Sequence, residues 1–156
     1  MNKHPLIIIL EDVRSALNVG AIFRTADAAG AQELILTGIT PYPPHPRIPK
    51  TALGATENVS WKHIPLTSEV ITELHAKKFN IVAVEVTVRA VSLYNYEFPD
   101  KTAIIFGNEI TGVSQETLAN VDQTVKIPMY GIKESLNVAT TVGIVAFEII
   151  RQWEFK

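Results

Sequence analysis

The sequence predicts an α/β fold, a mostly parallel sheet with helices on both faces. Apolar runs at residues 6–10, 81–84 and 103–106 have the length and continuity of strands buried on both sides, not the alternation of half-exposed ones. Between the first strand and the next, the apolar period becomes helical. A strand, a helix and a second strand in succession require the crossover that builds parallel sheets. At 156 residues, 47% of them hydrophobic, the chain predicts one domain over residues 1–156 that buries its core without metal or disulfide support.

Each element has its own signal. The run at 6–10 is ended by Glu11-Asp12, which marks a strand feeding a loop. From Asn18 onward Val19, Ile22, Phe23 and Ala26 recur at helical spacing, and Gly30 stops the pattern where a left-handed cap belongs. Residues 33–38 read as the second strand. Pro41-Tyr42-Pro43-Pro44-His45-Pro46, followed by Pro49, reads as a stiff surface loop, because proline lacks a donor and restricts its predecessor. A helical turn over 51–55, a strand over 59–64 and a helix over 67–78 come next. Ser114 begins a short helix through Asn120, and residues 124–127 supply the last strand. The final helix is expected from about Ser135 to Trp153. It carries Val138, Val142, Val145, Ile149 and Trp153 on one stripe, with Ile144 and Phe147 off it. A stripe that wide needs two partners, for which the sheet and a second subunit are candidates.

Composition excludes several functions. There are no cysteines, so disulfides, thiolate metal sites and cysteine nucleophiles are out. His4, His45, His63 and His75 are scattered without a close ligand pair, so no metal site is expected. No stretch reaches the length of a membrane span and residues 1–5 are too short a lead for a signal peptide, so the expectation is a cytoplasmic protein without a membrane partner. A formal charge of −2 argues against a general nucleic-acid coat, so any RNA must be met locally. Arg14, Arg24, Arg47, Lys50 and Lys62 all fall within the first 62 residues, where a fold or dimer could gather several.

Three segments concentrate polar residues at structural boundaries. Ile127-Pro128-Met129 leads through Lys133-Glu134-Ser135-Leu136-Asn137-Val138 into the last helix. Ser135 and Asn137 there suit either a plain cap or a small polar ligand at free N–H groups. Gly107-Asn108-Glu109-Ile110-Thr111-Gly112 follows a buried strand, in the crevice where open α/β sheets bind ligands. It lacks the lysine of a phosphate-binding Walker loop, and no G-x-G-x-x-G occurs. Asn108 and Glu109 fit a polar turn or a site equally. Arg24 projects opposite the apolar stripe of its helix, either as a solvated cation or as one aimed at a phosphate or oxyanion.

Taken together the segments resemble the SpoU/TrmH family of RNA 2′-O-methyltransferases, within the SPOUT class. The first motif stands as Asn18-Val19-Gly20-Ala21-Ile22-Phe23-Arg24-Thr25-Ala26 and the second runs from Phe106-Gly107-Asn108-Glu109 through Ile127-Pro128-Met129. The third is Ser135-Leu136-Asn137-Val138. Lys50-Thr51-Ala52-Leu53-Gly54-Ala55 also looks like the family's segment after the second strand. The resemblance implies a C-terminal deep trefoil knot, a feature rare enough that periodicity could not suggest it. It implies S-adenosylmethionine as cofactor, bound around Gly107, Asn108, Ile127, Met129, Ser135 and Leu136, and a homodimer.

Catalytic roles follow the same carry-over. A guanidinium is a poor base, so Arg24 is expected to hold an RNA phosphate and stabilise the forming alkoxide. Asn18 would fix the ribose or Arg24, and Glu109 would orient the arginine or the substrate. Asn137 and Ser135 would serve the acceptor nucleotide and the methionine end of the cofactor. The chain shows no N-terminal RNA-binding extension, so substrate selection is expected from this domain, its dimer or a helper. The RNA substrate is expected to be tRNA, with rRNA the alternative. A non-catalytic RNA-binding assembly factor of the same fold is a further reading, and a small nucleotide hydrolase comes last for want of a phosphate loop or nucleophile elbow.

Overall fold

The computed structural model describes residues 2–156. Its centre is a seven-stranded sheet in which every pairing is parallel. In chain order the elements are β1 (His4–Glu11), α1 (Ala16–Ala28), β2 (Ala31–Thr37), α2 (Pro49–Ala52), β3 (Trp61–Ile64), α3 (Thr67–Ala76) and β4 (Asn80–Val84). There follow β5 (Val91–Ser92), β6 (Thr102–Phe106), α4 (Gln115–Asn120), β7 (Gln123–Lys126) and α5 (Val138–Glu154). The strands lie in the order β3-β2-β1-β6-β4-β7-β5. Because all run one way, their C-terminal ends share one edge, and that edge carries the site.

The unbroken apolar strands are explained by cover on both faces. Along β1, Leu6, Ile8 and Leu10 face a core shared with α1, α2 and α5, and Ile7 and Ile9 face a second core built with α3. All five are essentially unexposed, each contributing about 1.5–3 kcal/mol by burial. The α1 stripe packs as its spacing predicts, with Val19, Ile22, Phe23 and Ala26 fully buried. Gly30 adopts φ +65°, the left-handed conformation that ends the helix.

The structure departs from the expectations at three points. The last helix begins at Val138, not near Ser135, because Asn137 turns its side chain back to cap it. Ser135 and Leu136 therefore sit in the loop before it. Pro49 does not lie in irregular loop but opens α2, at a first-turn position where a missing donor costs nothing. The edge strand β5 and the 3₁₀ turn Leu93–Asn95 escaped the sequence reading, since two residues are too few for periodicity. On α5, Val138, Val142, Val145, Ala146 and Ile149 are buried, and Phe147 remains 48% exposed, off the stripe as expected. Among the described residues no helix is long and apolar enough to cross a membrane, and no cluster of potential metal ligands occurs.

Candidate active site

A cleft of about 580 Å³ opens at the C-terminal ends of β4, β6 and β7, walled on its far side by the loop into α5. Strand ends leave backbone groups unpaired by neighbours, so ligands of parallel sheets gather there. Phe106, the last residue of β6, lies in the floor and Gly107 carries the chain over it. A Cβ on Gly107 would overlap the backbone of Gly112 and Val113, so only glycine lets the turn fold back this closely.

That turn is held from within. Asn108 and Gly112 pair through both backbone bonds, at 3.2 and 2.9 Å. The Asn108 side chain accepts from Ile110 and Thr111 N–H and donates to the Asp12 carbonyl at 2.8 Å. Gly112, at φ +72°, abuts the Glu85 carboxylate, which accepts from Val113 N–H at 2.9 Å and Val86 N–H at 3.1 Å. Asn108 is therefore structural in its bonds while lining the cleft with its backbone turn.

Glu109 joins the turn to α1. Its carboxylate accepts from the backbone N–H groups of Arg14 at 2.8 Å and Ser15 at 2.9 Å, and from Asn18 Nδ2 at 3.4 Å. Burial pushes this carboxyl up, but the N–H donors of Arg14 and Ser15, helped by Asn18, outweigh it and hold it below the usual carboxylate range. Asn18 Oδ1 in turn accepts from Asn137 Nδ2 at 3.2 Å. Asn137 Oδ1 accepts from Ala139 and Thr140 N–H, closing the first turn of α5. Glu109, Asn18 and Asn137 thus form one hydrogen-bonded chain across three segments far apart in sequence. Glu109 orients Asn18 and the start of α1, not Arg24.

Nine of the ten expected site residues line this cleft: Asn18, Gly107, Asn108, Glu109, Ile127, Met129, Ser135, Leu136 and Asn137. Arg24 does not. It is exposed on α1, six residues beyond Asn18, or about 9 Å along the axis. Glu85, Lys126, Glu134 and Thr141 also line the cleft and were not anticipated. Glu85 had a readable signal, a carboxylate directly after the apolar run 81–84, which is the same boundary logic that marked Gly107. Lys126, the last residue of β7, fell inside the expected strand 124–127 and had none.

Comparisons with known proteins agree with this geometry. The model of the SpoU rRNA Methylase family matches residues 5–147. The chain is 32% identical over 156 residues to the 23S rRNA (guanosine-2'-O-)-methyltransferase RlmB of Neisseria meningitidis, covering 100% of this chain and 62% of that protein. It is 32% identical over 150 residues to the tRNA (guanosine(18)-2'-O)-methyltransferase of Escherichia coli K12, covering 94% and 63%. The chain therefore spans under two thirds of the length of these curated relatives. Among solved structures it resembles the SpoU methyltransferase AviRb of Streptomyces viridochromogenes in complex with AdoMet, with a TM-score of 0.90, 26% identity and coverage of 99% and 60%. A second structure, described as giving insight into the 2-OH methylation of C/U34 on tRNA, has a TM-score of 0.84 and 29% identity. It is covered to 97% in both directions.

Proposed function

Because the chain belongs to the SpoU rRNA methylase family, we propose that it transfers a methyl group from S-adenosylmethionine to a ribose 2′-hydroxyl of RNA, with tRNA as the substrate class. The observation that carries this reading is the Glu109–Asn18–Asn137 chain, which ties the three motif segments together at the mouth of one cleft. The tRNA reading is supported by the structure that matches this chain end to end, which concerns nucleotide 34 of tRNA. An rRNA substrate is the second reading, favoured by the whole-chain match to a 23S rRNA enzyme. Action on tRNA would place the protein in the cytoplasm.

The residues present fit the cofactor. The cleft volume lies within the range of about 300–1,000 Å³ usual for small-molecule sites. Its charged lining is Glu85, Glu109 and Glu134 against Lys126, an acidic surplus suited to a ligand with two cationic centres and one carboxylate. Gly107 allows close backbone approach, Ile127, Met129 and Leu136 supply apolar walls, Asn108 shapes the turn, and Ser135 stands ready for the methionine end. S-adenosylmethionine would supply an electrophilic methyl on a positively charged sulfur.

The protein's own part is alignment and charge stabilisation. Asn18 and Asn137, held by Glu109, position the acceptor ribose. Glu109 is committed to backbone donors and kept anionic, which makes it a positioning residue and a weak base. Arg24 would hold an RNA phosphate and stabilise the negative charge that develops on the ribose 2′-oxygen as its proton leaves. The hydroxyl proton leaves to a phosphate oxygen or water.

We extend the reading to a homodimer and to a trefoil knot in the C-terminal half. The dimer is supported by apolar residues left open on neighbouring elements, Leu17 on α1 and Phe147 on α5. It gives Arg24, outside the cleft of its own chain, a route to an acceptor site near the subunit interface. The knot is supported by the strand order, in which β4 lies between β6 and β7.

The test is transfer of labelled methyl into separate tRNA and rRNA pools lacking their own 2′-O-methylation. Label is expected in tRNA. Arg24→Ala should lower transfer by about 10²–10³ while S-adenosylmethionine affinity stays unchanged. Retained turnover would remove Arg24 from the chemistry, and label in neither pool would leave a binding factor of this fold.

A further inference from the structure

Of the fourteen lysines and arginines, four take part in ion pairs among the described residues. Lys62 bridges Glu33 at 3.6 Å and Glu73 at 3.1 Å, Lys77 also pairs with Glu73, Arg151 pairs with Glu148 and Lys156 with Asp100. Among the described residues, Arg14, Arg24, Arg47 and Lys50 take part in no ion pair. All four are exposed. Lys62 is thereby separated from the early cations with which the sequence groups it.

What sets Arg14, Arg24, Arg47 and Lys50 apart from the other unpaired cations is that they lie on adjoining elements. Gly20 of α1 is the seat for α2: a Cβ there would overlap Thr51 Oγ1 and the Ile48 carbonyl, and Thr51 donates to the Leu17 carbonyl at 2.7 Å. Arg24 follows Gly20 by four residues and so shares its helix face one turn on. Arg47 and Lys50 flank Ile48 and Thr51, the residues that touch that seat. At the other end of α1, the backbone of Arg14 is tied to Glu109 at the mouth of the cleft. Arg24, Arg47 and Lys50 therefore gather about the α1–α2 contact, outside the cleft lining, and Arg14 stands at the opposite end of α1.

The segment bearing Arg47 and Lys50 has two further properties. Between Glu33 and Glu57 it contains no acidic residue, so nothing nearby in the chain neutralises it. The opposing charges on the flanking elements are Asp27 near the end of α1 and Glu57 beyond α2, neither ion-paired to these cations. Its prolines restrict the backbone, so little conformational freedom remains to be lost on binding. His45 Nδ1 accepts from Arg47 N–H at 3.2 Å and steadies the approach to α2. On the same loop Tyr42 stacks on His63, with ring centroids 4.2 Å apart at 26°, and stays 46% exposed. His63 is itself anchored, its Nε2 lying 3.0 Å from the Gly38 carbonyl.

We propose that this proline-stiffened segment is a contact site for the substrate RNA outside the catalytic cleft. Arg47 and Lys50 hold backbone phosphates and Tyr42 stacks against an unpaired base. The assignment rests on the methyltransferase reading above and adds to it the surface that positions the RNA flanking the reacting nucleotide. Free cations would suit any polyanion. An aromatic face on a rigid support beside them favours a nucleic acid with accessible bases, because base stacking on aromatic rings is how single-stranded and loop RNA is held.

The experiment measures equilibrium binding of an unmodified tRNA transcript to the full chain across a salt series, together with steady-state methylation and S-adenosylmethionine affinity. The double variant Arg47→Ala with Lys50→Ala is expected to raise Kd and KM about tenfold and to reduce the salt slope by about two. Its kcat at saturating tRNA and its cofactor affinity should match wild type. Tyr42→Ala should weaken binding about tenfold with no change in salt slope, and Tyr42→Phe should restore it. A wild type that methylates tRNA alongside variants with unchanged Kd and slope overturns this surface and leaves the activity standing. A wild type that neither binds nor methylates tRNA overturns both. Loss of binding to phosphatidylserine vesicles with tRNA affinity intact overturns the assignment in favour of a membrane surface.

Discussion

The C-terminal ends of β1 and β2 and those of β4, β6 and β7 lie along one edge of one sheet, yet they are finished in opposite ways. At the first pair the chain seals itself. The Thr40 hydroxyl, buried, accepts from Val13 N–H at 3.1 Å and donates to the Thr37 carbonyl at 2.7 Å, with the Leu10 carbonyl at 3.2 Å. Asp12 accepts from Ile39 N–H at 2.9 Å. Glu11, 5% exposed, spends both carboxylate oxygens on Ser114 and Thr117 at the start of α4. At the other three ends the polar groups surround a cleft instead. Gly107 adds no side chain to fill the space, and among the described residues Ser135 makes no side-chain hydrogen bond. A strand end whose polar groups are satisfied internally is architecture, and one whose walls are held apart is a site.

Three substitutions test that contrast, in order of expected effect. Gly107→Ala forces a methyl group against backbone that cannot yield, which displaces the turn bearing Asn108 and Glu109. Misplacement by about 1 Å costs on the order of 10² in rate, so methyl transfer should fall at least that far and cofactor affinity should fall with it. Near-normal cofactor titration would show that the open end tolerates closure. Thr40→Val strikes the sealed end, leaving buried backbone groups unsatisfied at a cost of about 1–3 kcal/mol. A lowered Tm with unchanged kcat/KM is expected; a selective loss of kcat/KM would mean that the sealed end communicates with the cleft. Asn137→Ser separates the two duties of one residue. Serine keeps the helix cap to within a few tenths of a kcal/mol but removes the donor to Asn18. Transfer should fall about tenfold at nearly constant Tm, and parallel loss of both would reduce Asn137 to a cap.

Two carboxylates held in unlike ways show the same contrast in charge. Glu73, between Lys62 and Lys77, is held below the usual carboxylate range by its hydrogen bonds to those lysines, the Lys77 bond first, and serves only to tie α3 to the edge strand. Glu109 is depressed by backbone donors and leaves no cation beside it. The Arg14 side chain, whose backbone N–H it binds, takes part in no ion pair among the described residues.

Much of this was legible in the residues alone. Buried strands announce themselves by unbroken apolar runs because both faces of a parallel sheet are covered, so β1, β4 and β6 and the crossovers between them follow from local composition. The turn at Gly107 and the cap near Asn137 were visible as polar residues at element boundaries. What each did was not visible, since a cap and a ligand site call for the same side chains. Asn137 is in fact the cap of α5 and a wall of the cleft at once. Glu109 was expected to orient Arg24 or the substrate, and within the chain it bonds to Arg14, Ser15 and Asn18, because pairing is decided by which loop ends meet and not by spacing along the chain.

The sequence by itself determined the alternation of strands and helices, the parallel sheet, the lack of thiols, and the residue types gathered at strand ends. These are local or compositional properties, carried by period, propensity and inventory. Tertiary structure alone decided that residues 18, 109 and 137 share one hydrogen-bonded chain, that Glu85 joins them in the cleft, and that Lys62 is paired while Arg47 and Lys50 are free. Each of those facts depends on the strand order, and the order depends on how whole faces pack, which no stretch of the chain encodes alone.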